Sequence, residues 1–82
     1  MLSAIVLLNT ERDKTNKVAE ALTIFKVNVA LYPQSANAYD SLAEAYTANG
    51  EKPLAIANYK KSLELNPQNR NAAEELKKLE RK

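Results

Sequence analysis

Cysteine, histidine and tryptophan are absent from this chain of 82 residues, and glycine occurs only once. Without cysteine, the chain can form neither a disulfide nor a thiolate metal site. Without histidine, it lacks the usual general base and the commonest zinc ligand. A single glycine excludes a glycine-rich phosphate-binding loop. The sequence therefore predicts no enzyme activity, no bound metal and no cofactor.

Charge of one sign and long apolar runs are also missing. The formal net charge is +2, and acidic residues stand beside every basic cluster. A nucleic-acid-binding protein usually gathers basic charge on one face or tail, so no nucleic-acid partner is predicted. No apolar run reaches the ~20 residues that cross a bilayer, and the apolar start lacks the features of a signal peptide. No membrane partner is expected, and the compartment, cytoplasmic or periplasmic, stays open.

The chain repeats itself at a spacing of 34 residues. This step aligns residues of matching size and polarity along most of the sequence, which predicts a stacked repeat architecture. We expect one all-α domain of about five helices over residues 1–82: a degenerate repeat (1–35), a well-matched repeat (36–69) and a C-terminal capping helix (70–82). The clearest matches are Ile5 with Tyr39, Leu8 with Leu42, Asn16 with Gly50, Ala21 with Ala55, Phe25 with Tyr59, and Pro33 with Pro67.

Helix boundaries are marked most clearly around the second repeat. Ser35 and Asn69 each precede an apolar helical pattern and can cap free backbone N–H groups. Gly50 can adopt the left-handed conformation that ends a helix, and Pro67 ends the next one. The predicted core comprises Ile5, Leu8, Ala21, Leu22, Phe25, Val29, Tyr39, Leu42, Ala43, Tyr46, Ala55, Ile56, Tyr59, Leu63 and Leu76.

The beginning of the first repeat is apolar on every helical face. A turn is predicted near Asp13 to Asn16, where Asn16 takes the place of Gly50. That segment has no strong helix breaker, however, so the two helices could instead run on as one and pack in a partner chain. We predict a homodimer, with domain swapping as one form; a frayed end and a covering upstream domain are the alternatives. The predicted self-association residues are Leu2, Ile5, Val6, Leu7 and Leu8.

The second repeat resembles a tetratricopeptide repeat. The family pattern is carried by Tyr39, Leu42, Ala43, Tyr46, Gly50, Ala55, Tyr59 and Pro67. The first repeat carries its second half in Ala21, Phe25 and Pro33, and departs from it at Asn9 and Arg12. The resemblance implies antiparallel helical hairpins in a right-handed superhelix. It also implies a non-catalytic scaffold that binds a protein or peptide segment on its concave face.

Aligned with that family, the concave face would be lined by Val6, Thr10, Asn37, Asp40, Ser41, Glu44, Thr47, Asn71 and Glu75. The basic clamp with which some relatives hold a terminal carboxylate is absent, because Val6, Asn37 and Glu75 stand at its cationic positions. Acidic side chains make the centre of the groove negative instead. We therefore expect a preference for neutral or basic segments.

The stretch from Phe25 to Tyr46 is also similar to the C-terminal repeat modules of some bacterial serine hydrolases related to β-lactamases. This similarity implies a structural or oligomerising accessory module of a larger protein. A third interpretation is an engineered repeat domain without a natural ligand. The sequence leaves these alternatives open beside the peptide-binding scaffold.

Overall fold

The structure is a computed structural model that describes residues 13–81, with side chains described from Lys17 onward. Its four helices are α1 (Asp13–Leu31), α2 (Ala36–Ala48), α3 (Lys52–Leu65) and α4 (Arg70–Arg81), and no strand occurs in this range. Each helix packs on the next along the chain. The all-α class is confirmed. About five helices were predicted; the expected additional helix, with its self-association residues, falls outside the described range.

Two side-chain caps begin helices as predicted. The Ser35 hydroxyl accepts a hydrogen bond from the Ala38 N–H at 3.2 Å, at the start of α2. The Asn69 side-chain carbonyl accepts one from the Ala72 N–H at 3.2 Å, at the start of α4. Each cap supplies an acceptor to a backbone donor in the first helical turn. The Ala38 N–H also donates to the Ser35 carbonyl at 3.1 Å.

Gly50 ends α2 in the left-handed conformation, with φ of 78°. Its N–H donates to the Thr47 carbonyl at 3.0 Å, and the Glu51 N–H donates to the Tyr46 carbonyl at 2.9 Å. This pair of bonds is the Schellman arrangement, which satisfies two carbonyls at the helix end. Pro53 then lies in the first turn of α3, where a missing N–H costs nothing.

The turn predicted near Asp13 to Asn16 is wrong, because these residues lie inside α1. No glycine or proline precedes Pro33, so nothing in this segment interrupts the helical hydrogen bonds. Asn16 would have to adopt the strained left-handed conformation that Gly50 takes freely. Under the 34-residue alignment α3 begins opposite Val18, so residues 13–17 lengthen α1 beyond its counterpart.

The core lies where α2 packs between α1 and α3, and extends to α4. Of the predicted core, Ala21, Tyr39 and Ile56 are only half-buried, and Phe25, Val29, Leu63 and Leu76 flank the core partly buried. Ala45 and Ala72 are buried although they were not predicted. Ile5 and Leu8 lie outside the described residues. The buried apolar residues are Leu22, Leu42, Ala43, Ala45, Tyr46, Ala55, Tyr59 and Ala72.

Candidate protein-binding surface

The surface predicted to bind peptides runs across α2 and α4. Asn37, Glu44, Thr47 and Asn71 are exposed, while Asp40, Ser41 and Glu75 are half-buried. The other two predicted residues, Val6 and Thr10, lie outside the described part of the chain.

Asp40 joins the two helices that form this surface. Its carboxylate accepts hydrogen bonds from the Asn71 side-chain amide, at 3.1 Å to one oxygen and 3.2 Å to the other. The Asn69 amide approaches the same carboxylate at 3.3 Å. Of the residues predicted on α2 and α4, Asp40 and Asn71 are therefore brought together by direct side-chain contacts.

Behind this contact lies a buried polar network centred on Ser62, which is 0% exposed. The Ser62 hydroxyl donates to the Ala36 carbonyl at 2.8 Å and accepts from the Asn69 amide at 2.9 Å. The network ties the start of α2, the end of α3 and the start of α4. Sequence reasoning missed Ser62; its place on the buried face, three residues after Tyr59, was the available signal.

Three carboxylates lie close enough to the Tyr59 phenol to influence its pKa. Burial raises its pKa to about 12, and the negative charges of Glu44, Glu75 and Asp40 act in the same direction. A hydrogen-bond interaction with Thr47 acts in the opposite direction. Asp40 and Glu44 belong to α2, and Glu75 belongs to α4. We call Asp40, Glu44 and Glu75 the acidic cluster.

Not every member of the acidic cluster is equally open to a ligand. Asp40 is engaged by two asparagine amides, and Glu75 lies 3.2 Å from the Lys78 ammonium. Glu44 is exposed. Because an exposed ion pair contributes little, an incoming cation could replace Lys78 at small cost.

Asn37 and Ser41 belong to a separate depression between the end of α1 and the start of α2. Its lining also includes Asn28, Ser35 and Tyr32, a residue that is 62% exposed. An exposed aromatic ring beside amide and hydroxyl groups can contact both apolar and polar parts of a peptide. The predicted surface therefore has an acidic part and a more neutral part.

An apolar groove lies between α1 and α2. Val18, Ala21 and Phe25, with Lys17, form its α1 side, and Ala45 and Ala48, with Glu44, form its α2 side. The sequence did not predict this groove, because Ala21 and Phe25 were expected to lie in the core. We call its five apolar residues the α1–α2 groove.

Within residues 13–81, no group of acidic side chains is arranged to hold a metal ion. In the same part of the chain, no helix has both the length and the apolarity needed to cross a membrane. A comparison with known protein families found no family that matches this chain, and a comparison with curated proteins found no similar sequence.

Proposed function

We propose that this chain is a non-catalytic scaffold of the tetratricopeptide-repeat type that binds a protein or peptide segment across α2 and α4. The observation that carries the proposal is the contact of Asp40 on α2 with Asn71 on α4, two helices that also carry Glu44 and Glu75. A surface of this kind is continuous across repeats, as a bound segment requires.

The proposed ligand is a segment with basic side chains. Opposite charges between a surface and its ligand raise the association rate and select against acidic competitors. Attraction between exposed charges weakens as salt screens it, so affinity should fall with ionic strength. The depression beside Tyr32 would accept a neutral or aromatic side chain of the same segment.

Binding of three labelled peptides of equal length tests the proposal: one rich in lysine, one neutral and one rich in glutamate. The lysine-rich peptide should bind most tightly in fluorescence anisotropy, and its affinity should drop as salt is raised. Tighter binding of the glutamate-rich peptide would contradict the proposal, and so would equal binding of all three.

A matched pair of variants separates the acidic cluster from overall charge. E44Q/E75Q removes two carboxylates from the proposed surface, and E20Q/E64Q removes two exposed ones from α1 and α3. At about 0.2–1 kcal/mol for each exposed charge pair, E44Q/E75Q should weaken binding by about 2-fold to 30-fold. The E20Q/E64Q protein carries the same net charge and should bind as the wild type does.

A further inference from the structure

The α1 side of the α1–α2 groove corresponds to the face of α3 that α2 covers in the second repeat. Ala21 and Phe25 correspond, at the 34-residue step, to Ala55 and Tyr59. α2 packs on α3, where Ala55 is 0% and Tyr59 is 1% exposed, whereas Ala21 and Phe25 remain half-buried. The groove therefore has the position and the apolar character of a site for a helix equivalent to α2.

The segment of this chain that corresponds to α2 begins at Leu2. Ile5 and Leu8 stand opposite Tyr39 and Leu42, and the residues between them are also apolar. Residues 2–8 therefore carry apolar side chains that could cover the groove. The 34-residue alignment matches them to the residues of α2 that cover the equivalent face of α3.

The connection to α1 prevents the segment from reaching the groove of its own chain in that register. In the second repeat, the chain reverses at residues 49–51, with Gly50 in the left-handed conformation. The corresponding residues 15–17 lie inside α1. A reversal before Asp13 moves the turn by at least five residues, and in an antiparallel pair this displaces Ile5 and Leu8 along α1 by at least ten residues, about 15 Å at about 1.5 Å per residue.

We infer that residues 2–8 of a second copy of this chain occupy the α1–α2 groove, giving a reciprocal, domain-swapped dimer. A segment supplied by another copy is free of the connection through residues 13–17 and can take the repeat register. The exchange is symmetric, because each copy offers one segment and one groove. This inference does not depend on peptide binding by the acidic cluster.

A turn-restoring variant and a matched helix-forming variant test the inference. T15N/N16G places at residues 15–16 the Asn-Gly pair that reverses the chain at Asn49 and Gly50. T15A/N16A places strong helix formers at the same positions. Light scattering after size exclusion should show dimers for the wild type and T15A/N16A at micromolar concentration, and monomers for T15N/N16G. A monomeric wild type, or equal masses for the two variants, would overturn the inference.

Cross-linking then distinguishes exchange between copies from folding back within one copy. Asp40 and Asn71 are in contact, and their counterparts in the first repeat are Val6 and Asn37. The natural chain has no cysteine, so V6C/N37C reacts with a short bis-maleimide only at these two positions. A covalent dimer on a denaturing gel is expected. A monomer closed by an internal cross-link would show that each segment lies on its own chain, contrary to the inference.

Discussion

α1 and α3 present equivalent apolar faces, and the two faces differ in how completely they are covered. Tyr59 on α3 is buried beneath α2, and its neighbour Ala55 is fully enclosed. Phe25 and Ala21 stand at the same repeat positions on α1, yet they line an open groove. The difference shows that similar side chains at equivalent repeat positions do not ensure equal burial.

The largest expected effect comes from truncating the equivalent aromatic residues. Tyr59→Ala removes a buried ring and should lower the free energy of unfolding by about 3–5 kcal/mol. Phe25→Ala removes a half-buried ring and should cost about 1–3 kcal/mol at submicromolar concentration, where copies are separate. Urea titration monitored by circular dichroism gives both values. Equal losses would mean that the first face is covered as fully as the second.

The next largest effect concerns the two equivalent helix caps. Ser35 makes one capping bond, whereas Asn69 caps α4 and also donates to Ser62 and Asp40. Asn69→Ala should therefore cost about 1–3 kcal/mol, and Ser35→Ala about 1 kcal/mol, in thermal unfolding. Asn69→Ser serves as the control, since it keeps a capping oxygen but gives up the bonds to the network. If it unfolds like the wild type, the network contributes nothing to stability.

Alanine substitutions at the two predicted turn positions, Gly50 and Asn16, are expected to change stability in opposite directions. Gly50→Ala forces a side chain into the left-handed conformation at φ 78° and should cost about 1–2 kcal/mol. Asn16 lies inside α1, where alanine is the better helix former by up to about 0.7 kcal/mol. Asn16→Ala should accordingly raise the melting temperature slightly. A loss of stability at both positions would show that residues 13–17 are not helical in solution.

A dependence of stability on alkaline pH is expected from the Tyr59 hydroxyl. Its pKa is raised from 10.0 to about 12, first by burial and then by the nearby carboxylates. The unfolded chain thus releases this proton before the folded chain does. The stabilisation is fully present below pH 10 and is lost as the pH rises toward 12. Tyr59→Phe places at this position the residue type that Phe25 supplies in the first repeat. In urea titrations, this variant should lose less stability between pH 10 and pH 12 than the wild type does. An equal loss in both proteins would mean that other groups cause the alkaline destabilisation.

Local chemistry explains which features could be predicted from the sequence. Ser35, Gly50 and Asn69 act within a few residues of their own positions, so residue type alone indicated their roles. Ala72 is the buried alanine of α4, because packing against α3 fixes the rotation of this short helix. A residue pattern with only a thin apolar stripe does not determine that rotation.

Features that depend on distant partners were harder to predict. Ser62 is a polar residue in a buried position, and its two hydrogen-bond partners come from α2 and from the start of α4. The turn near Asp13 to Asn16 was inferred from repeat alignment, but the segment lacks the glycine that makes the same turn possible at Gly50. Alignment shows where a turn is needed, and only the local residues determine whether it forms.

The Ser62 network has a consequence for the proposed peptide binding. By joining Ala36, Asn69 and Asp40, it holds the starts of α2 and α4 at a fixed separation. Amide hydrogen bonds also restrict the Asp40 side chain, whose rotamer a ligand would otherwise have to immobilise. Less conformational entropy is then lost on association, at about 0.5–1.5 kcal/mol for each side chain that is already ordered. The surface across α2 and α4 is therefore preorganised, so a short segment could bind it without first ordering the receptor.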